Sequence, residues 1–171
     1  MPTFVELFSQ QFEPEMKKTR QILAAVPDHD PAFKPHDKSM ELGRLAGHIA
    51  HLPLWIARTI DRDVLELGGG DTGGYAPMGE GGRDAMLEMF ERNVAESRSA
   101  LAATNDAHLA GRWKLQFNGH TVVDLPRTVV LTDICLNHMI HHRGQLSVYI
   151  RLLNGKVPGL YGPSADDREA M

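Results

Sequence analysis

Four stretches of this chain carry apolar residues at helical spacing, and that repeated three-to-four period constrains the fold more than any other feature. Over residues 3–25, Phe4, Phe8, Phe12, Met16 and Leu23 recur at this spacing, with Thr19 in the one gap. Pro14 falls inside the pattern and predicts a kink or slight irregularity. Pro27, Pro31 and Pro35 make residues 26–38 an irregular connection. Ser39 is placed to cap a second helix over 40–62, with Leu42, Leu45, Ile49, Leu52, Trp55 and Ile56 as its stripe. A third helix over 83–103 presents Met86, Met89, Phe90, Val94 and Leu101. The period then changes. Trp113, Leu115 and Phe117 alternate, Asn118-Gly119 is a tight-turn dipeptide, and Thr121-Val122-Val123 returns, which predicts a short β-hairpin over 112–125. Asp124 as a capping side chain and Pro126 in the first turn open a fourth helix to Leu153, stopped by Asn154-Gly155. The expected fold is all-α: a four-helix bundle with a short β-hairpin between helices 3 and 4. One domain covers 1–171, with 68–82 as a flexible Gly-rich loop and 156–171 as an irregular tail.

Composition narrows the function classes. A chain of 171 residues can bury a sizeable core without disulfides. With 18 Lys+Arg against 22 Asp+Glu, the net charge is −4, so there is no basic footprint and nucleic acid is not an expected partner. The single Cys135 excludes an intrachain disulfide, an all-cysteine zinc site and a CxxC redox centre. No apolar run approaches the ~20 residues that cross a bilayer, so no membrane partner is expected. The first residues lack the basic and apolar regions of a signal peptide, and the expected location is the cytoplasm. What stands out is nine histidines.

Five of them fall on two helices. At ~100° per residue, His138 and His142 lie about 40° apart, in the middle of the stripe that also holds Leu131, Leu146 and Tyr149. His141 lies at about −60°, on its border. Two imidazoles at i and i+4 on one face can grip a single ion, the spacing used by HExxH metalloproteases. In the second helix His48 points the same way as Leu45, Leu52 and Trp55. His51, about 60° away, sits at the polar edge that also carries Arg44, Arg58 and Arg62. Pro53 removes the helical bond to the Ile49 carbonyl and predicts a bend near His48. A single core histidine satisfied by one neighbour would be ordinary. Three on apolar faces would each need a separate partner, and one shared metal satisfies all three. The predicted ligands are His48, His138 and His142.

The neighbours admit two readings each. Cys135 is either a fourth ligand or a small apolar filler. Gln145 and Tyr149 either orient ligands and substrate or are satisfied core groups. His141 and His51 are candidates for supporting roles at the pocket rim, or solvated edge residues. Arg143, about 140° from His138, suits a surface or dimer contact. His29, His36, His108 and His120 read as solvated loop or turn residues. The Gly-rich segment lacks the GxxxxGK[ST] phosphate pattern and is a possible lid or a plain loop.

Leu45-Ala46-Gly47-His48, the segment His138-Met139-Ile140-His141-His142-Arg143-Gly144-Gln145, and the continuation through Tyr149 to Tyr161–Asp167 resemble the DinB/YfiT-like superfamily of metal-binding four-helix bundles. Together with the helix order the resemblance spans nearly the whole chain. It implies a three-histidine site at His48, His138 and His142, the same trio that the helical rotation selects. It also implies one divalent transition metal, zinc or nickel with iron as a further possibility, and a homodimer. The activities it implies are transfer of low-molecular-weight thiols such as bacillithiol, mycothiol or glutathione, and a thiol-dependent isomerisation. Three protein ligands leave an open position, the catalytic arrangement of a metal site. That position can take a thiol, with attack on an electrophilic small-molecule substrate. It can equally take water for hydrolysis. A metal-stabilised binding or stress protein without turnover is the non-enzymatic alternative.

Overall fold

A computed structural model describes residues 1–68, 77–78 and 81–169. The expected flexible loop at 68–82 lies largely outside the described residues. The chain is mostly helical with a small three-stranded sheet. In order these are α1 (Phe4–Ala24), α2 (Leu42–Asp61), β1 (Val64–Leu67), α3 (Gly82–Ala103), α4 (Asp106–Leu109), β2 (Arg112–Phe117) and β3 (His120–Pro126). A last helical stretch follows as α5 (Arg127–Val129), a π-helical segment (Val130–Asn137) and α6 (His138–Leu152), and α7 (Ala165–Glu169) lies in the tail.

The starts of α1 and α2 have definable reasons. Thr3 and Glu6 form a reciprocal capping box at α1. The Asp106 carboxylate also accepts from the Phe4 and Val5 N–H groups at 2.9 and 3.0 Å, which adds negative charge at a helix N-terminus. Ser39 does not cap α2 as expected. The helix starts later, at Leu42, and its first free N–H groups are taken by backbone: Leu42 donates to the Phe33 carbonyl and Gly43 to that of Pro31, at 2.9 and 2.8 Å. A Cβ at Gly43 would sit 3.1 Å from Pro31 Cβ, so this strap leaves little room for a side chain. Both internal prolines are accommodated without ending their helices. Pro14 lies on the exposed face of α1, where solvent meets the freed Gln10 carbonyl. Around Pro53, Asn93 Nδ2 donates to the Ala50 carbonyl at 3.0 Å and Ser97 Oγ bonds the Pro53 carbonyl, so α3 supplies polar partners where α2 is irregular.

α2 is the central element. It packs on α3, on the π segment and on α6, and 15 of its 20 residues are buried, so apolar stripes from every neighbour converge on it. Phe8 and Phe12 of α1, Phe90 of α3, Leu146 of α6 and Trp113 of β2 complete the core, with the Trp113 indole N–H 3.3 Å from the Arg58 carbonyl.

β2 and β3 pair antiparallel around Asn118 and Gly119, whose φ values of 49° and 77° make the left-handed turn that matches strand twist. β1 adds in parallel to β2, a strand the sequence pattern did not separate from the glycine-rich stretch behind it. Arg127 ties this sheet to the helices. Nearly fully buried, it donates to the carbonyls of Thr59 (2.9 Å), Arg112 (2.8 Å) and Arg62 (3.2 Å) and pairs with Asp63. Asp124 does not cap the following helix as expected. It pairs across the hairpin with Arg112 at 2.7 Å, and the helix opens at Arg127 without a side-chain cap.

The tail is less irregular than predicted. Ser164 and Asp167 cap α7 reciprocally at 3.1 and 2.8 Å, and Asp166 bonds Arg151 and the Val157 N–H, folding 156–169 back onto α6. Among the described residues no helix is long and apolar enough to cross a membrane.

Candidate metal centre

The fold brings His48 from α2 together with His138 and His142 from α6. Their nearest ring nitrogens all lie within 4.8 Å of one another. His142 Nε2 is 2.7 Å and His48 Nε2 3.4 Å from His138 Nε2. His142 is buried and the other two are half-buried. Among the described residues this is the one cluster of histidine, cysteine or carboxylate side chains able to hold an ion.

The preceding π segment serves the site directly. In it the His138 N–H is directed to the Asp133 and Cys135 carbonyls, instead of the ordinary i−4 partner, Ile134. The Ile134 carbonyl instead faces the His138 ring, with Nδ1 3.2 Å away. A carbonyl only accepts, so Nδ1 carries the hydrogen, and in the neutral ring the lone pair is at Nε2. On His142, Nδ1 lies 2.7 Å from Gln145 Oε1, which imposes the same tautomer. Two lone pairs therefore face each other across 2.7 Å, with a third imidazole alongside.

Protonation does not relieve this at neutral pH. Burial, reinforced by the charges of His142 and His138, pushes His48 down to about 3. Burial also holds His138 and His142 below the ordinary imidazole range, despite opposing bonds from Ile134 and Gln145. Three neutral nitrogen donors aimed at one point fit a divalent transition metal.

A family comparison decides what kind of chain this is: the model of the DinB family matches residues 1–170. The chain belongs to the DinB family. Among solved structures, a DinB-like protein from Bacillus cereus ATCC 10987 superposes with a TM-score of 0.68 at 23% identity, covering 90% of this chain and 95% of that one. A DinB-like protein from Bacillus subtilis gives 0.65 at 15% identity, covering 88% and 93%. These likenesses show the DinB-like fold. No curated protein matches the sequence.

Around the DinB histidines, the remaining expected residues divide. Gln145 touches His142 as described. The Tyr149 hydroxyl donates to the Met40 carbonyl at 3.0 Å and so braces the segment entering α2. His141 is exposed, its ring 5.1 Å from that of His142. Cys135 lies outside the cluster, with Sγ 3.8 Å from Thr59 Oγ1 and burial pushing its thiol up to about 12. It is buried in the apolar core, in keeping with the filler reading. His51 is not an edge residue: it is 2% exposed, because α2 is covered on nearly every side. Arg143 is not a surface or dimer contact, being 1% exposed and bonded to Glu15, Thr19 and Tyr161. His108 is not simply solvated, since Nε2 lies 2.8 Å from the Ile60 carbonyl. His29, His36 and His120 are exposed, as expected.

Two further residues complete the pocket. Met40 and Arg44 line, together with the three imidazoles, an open cavity of about 310 Å³. The signal for Arg44 was present in the sequence, since it stands one turn before His48 at i−4. Gln145 gives a direct test of positioning. Gln145→Leu removes the acceptor from His142 Nδ1–H at an exposed site, and metal affinity falls by about 10–100-fold while the fold persists. Gln145→Glu keeps an acceptor and recovers most of that affinity. Competition against a chelating dye measures both.

Proposed function

We propose that this DinB-family protein binds one divalent transition metal ion through His48, His138 and His142 and transfers a low-molecular-weight thiol to an electrophilic small molecule. The observation that carries the metal reading is the pair of Nε2 lone pairs facing each other across 2.7 Å, beside a third neutral imidazole. Zinc or nickel suits such a donor set, with iron the next choice. Held by three protein ligands, such an ion supplies an open position at which a thiol or a water loses its proton.

The thiol is the reading that the family resemblance implies. Among the described residues, those lining the histidine cavity are Met40, Arg44 and the three imidazoles. A deprotonated sulfur needs no further base: it forms the new carbon–sulfur bond, and the leaving group departs with the electron pair. Met40 supplies an apolar wall beside the imidazoles, and Gln145 holds His142 in the tautomer that presents its lone pair. Cys135, buried and far from ionising, is not the nucleophile, so the sulfur comes from a cosubstrate.

The test is conjugation of a bimane electrophile to small thiols by metal-loaded protein. The expected result is turnover that requires both metal and thiol. Metal-dependent ester or amide cleavage without thiol makes the protein a hydrolase, and inactivity across a broad panel makes it a non-catalytic metal-binding protein.

A further inference from the structure

α6 carries a second stripe on the side away from the histidines. Ile140, Arg143, Gly144 and Ser147 fall at i, i+3, i+4 and i+7, and with the tail loop 157–164 they line a cavity of about 390 Å³. It shares no lining residue with the histidine cavity. Val157, Pro158 and Leu160 give it an apolar wall. Two features of the stripe have no explanation within the chain. Gly144 sits in the interior of a 15-residue helix, where glycine is destabilising. Its φ is not positive, and a Cβ there would meet nothing within 4 Å, so neither backbone nor packing asks for glycine. Arg143 is 1% exposed, and among the described residues its buried Nε–H has no hydrogen-bond partner. The other guanidinium N–H groups are committed to Glu15, Thr19 and Tyr161. A buried donor left without an acceptor is costly.

We propose that this cavity is a second binding site, for a compact, mostly apolar molecule with one neutral acceptor oxygen that takes the Arg143 Nε–H bond while its body lies against Gly144. Nε–H lies on the guanidinium edge shared with Nη2, the nitrogen that donates to Tyr161, which also lines the cavity. The Tyr161 residue is 68% exposed, and a tilt of its ring admits the acceptor to Nε. The charge of Arg143 is already matched by the Glu15 carboxylate. A single remaining N–H suits one neutral lone pair, whereas a carboxylate pairs best with two parallel donors. Ser147 Oγ donates to the Gly144 carbonyl at 2.7 Å, and the N–H groups of Val157, Gly159 and Ser164 are taken by Asp166 and Asp167, so these offer no competing donor. Glycine at 144 lets a flat ligand approach the helix backbone closely. The site needs no metal and stands independently of the proposed thiol transfer.

The test is NMR on the full chain, in which a buried arginine Nε–H gives a signal of its own. Acetophenone carries an aromatic body and one acceptor oxygen, and ethylbenzene is its counterpart without the oxygen. We expect acetophenone to bind with a Kd of about 1 mM, about 10-fold tighter than ethylbenzene. It should shift the Arg143 Nε–H signal together with the Gly144 and Gly162 amides. In Gly144→Leu the new side chain occupies the cavity, so acetophenone should bind at least about 10-fold more weakly, while the melting temperature holds or rises because leucine is the better helix former. An Nε–H signal unmoved by about 10 mM acetophenone overturns the proposal. Equal occupancy by the two probes at about 1 mM overturns it as well, as does acetophenone affinity unchanged in Gly144→Leu. Should that variant fail to fold, the Nε–H signal of the unaltered protein still decides.

Discussion

Replacing His138 and His142 together by alanine abolishes stoichiometric metal binding and, with it, the metal-dependent rise in melting temperature. Each single replacement, His48→Ala included, is expected to do the same, because two imidazoles do not hold a divalent ion at the affinity of three. An ion that binds the folded chain alone stabilises it by roughly 4 kcal/mol at about 1,000 times its dissociation constant. For a chain of this length roughly 2–4 °C accompanies each kcal/mol, so zinc or nickel should raise the midpoint by about 8–16 °C. The metal-free double variant should remain folded, because the apolar core around Phe12, Leu52, Phe90 and Trp113 does not include either side chain. Elemental analysis and paired melts with and without metal check both statements. His51→Ala and His141→Ala should keep one ion per chain, since neither ring belongs to the cluster. Cys135→Ala should keep it too. Full occupancy in the double variant would place the ion elsewhere and remove the basis of the proposed function.

The trio was legible because it depends only on regular α-helical rotation: His138 to His142 is one turn within α6, and His48 shares a face with Leu45 and Leu52. What failed was the assumption that each helix has one buried stripe and one wet face. α2 alternates bulky apolar residues with Gly43, Ala46, Gly47, Ala50 and Ala57, small residues that let neighbours approach on several sides, so an apparent edge position such as His51 is enclosed. Arg143 points away from the histidines as the rotation requires, but that direction meets α1 instead of water. The π segment escaped the sequence for another reason. No residue pattern in Val130–Asn137 announces i→i+5 bonding, and the angular reading assumed 100° per residue throughout. The β1 strand is four residues long, too short for its alternation to register before the glycines begin.

The enclosed Arg143 makes the second large expectation: Arg143→Met should cost about 3 kcal/mol and lower the melting midpoint by roughly 6–12 °C. The guanidinium donates to the Glu15 carbonyl at 2.9 Å, Thr19 Oγ1 at 3.0 Å and the Tyr161 oxygen at 2.6 Å, and pairs with the Glu15 carboxylate. Tyr161 in turn donates to Glu15 at 2.7 Å, and Lys18 reaches the same carboxylate at 2.7 Å. Deleting the arginine strands a carboxylate that is 8% exposed, but Lys18 and Tyr161 still bond it, so the cost falls at the low end of the roughly 3–5 kcal/mol typical of a broken buried pair. Arg143→Met with Glu15→Met removes both charges and should recover much of the loss, which distinguishes a stranded charge from lost packing. The same network has a pH signature. Burial raises the Glu15 pKa, but the bonds from Lys18, Tyr161 and Arg143 outweigh it and hold the carboxyl below its ordinary range. Its stabilisation is therefore fully present above the unfolded carboxylate pKa and is lost as pH falls through the lower folded value. Because Tyr161 sits in the tail, acid or Arg143→Met should also free residues 156–169 to protease before the helices unfold. A loss below 1 kcal/mol with an undisturbed tail would mean that this buried pair contributes no more than an exposed one.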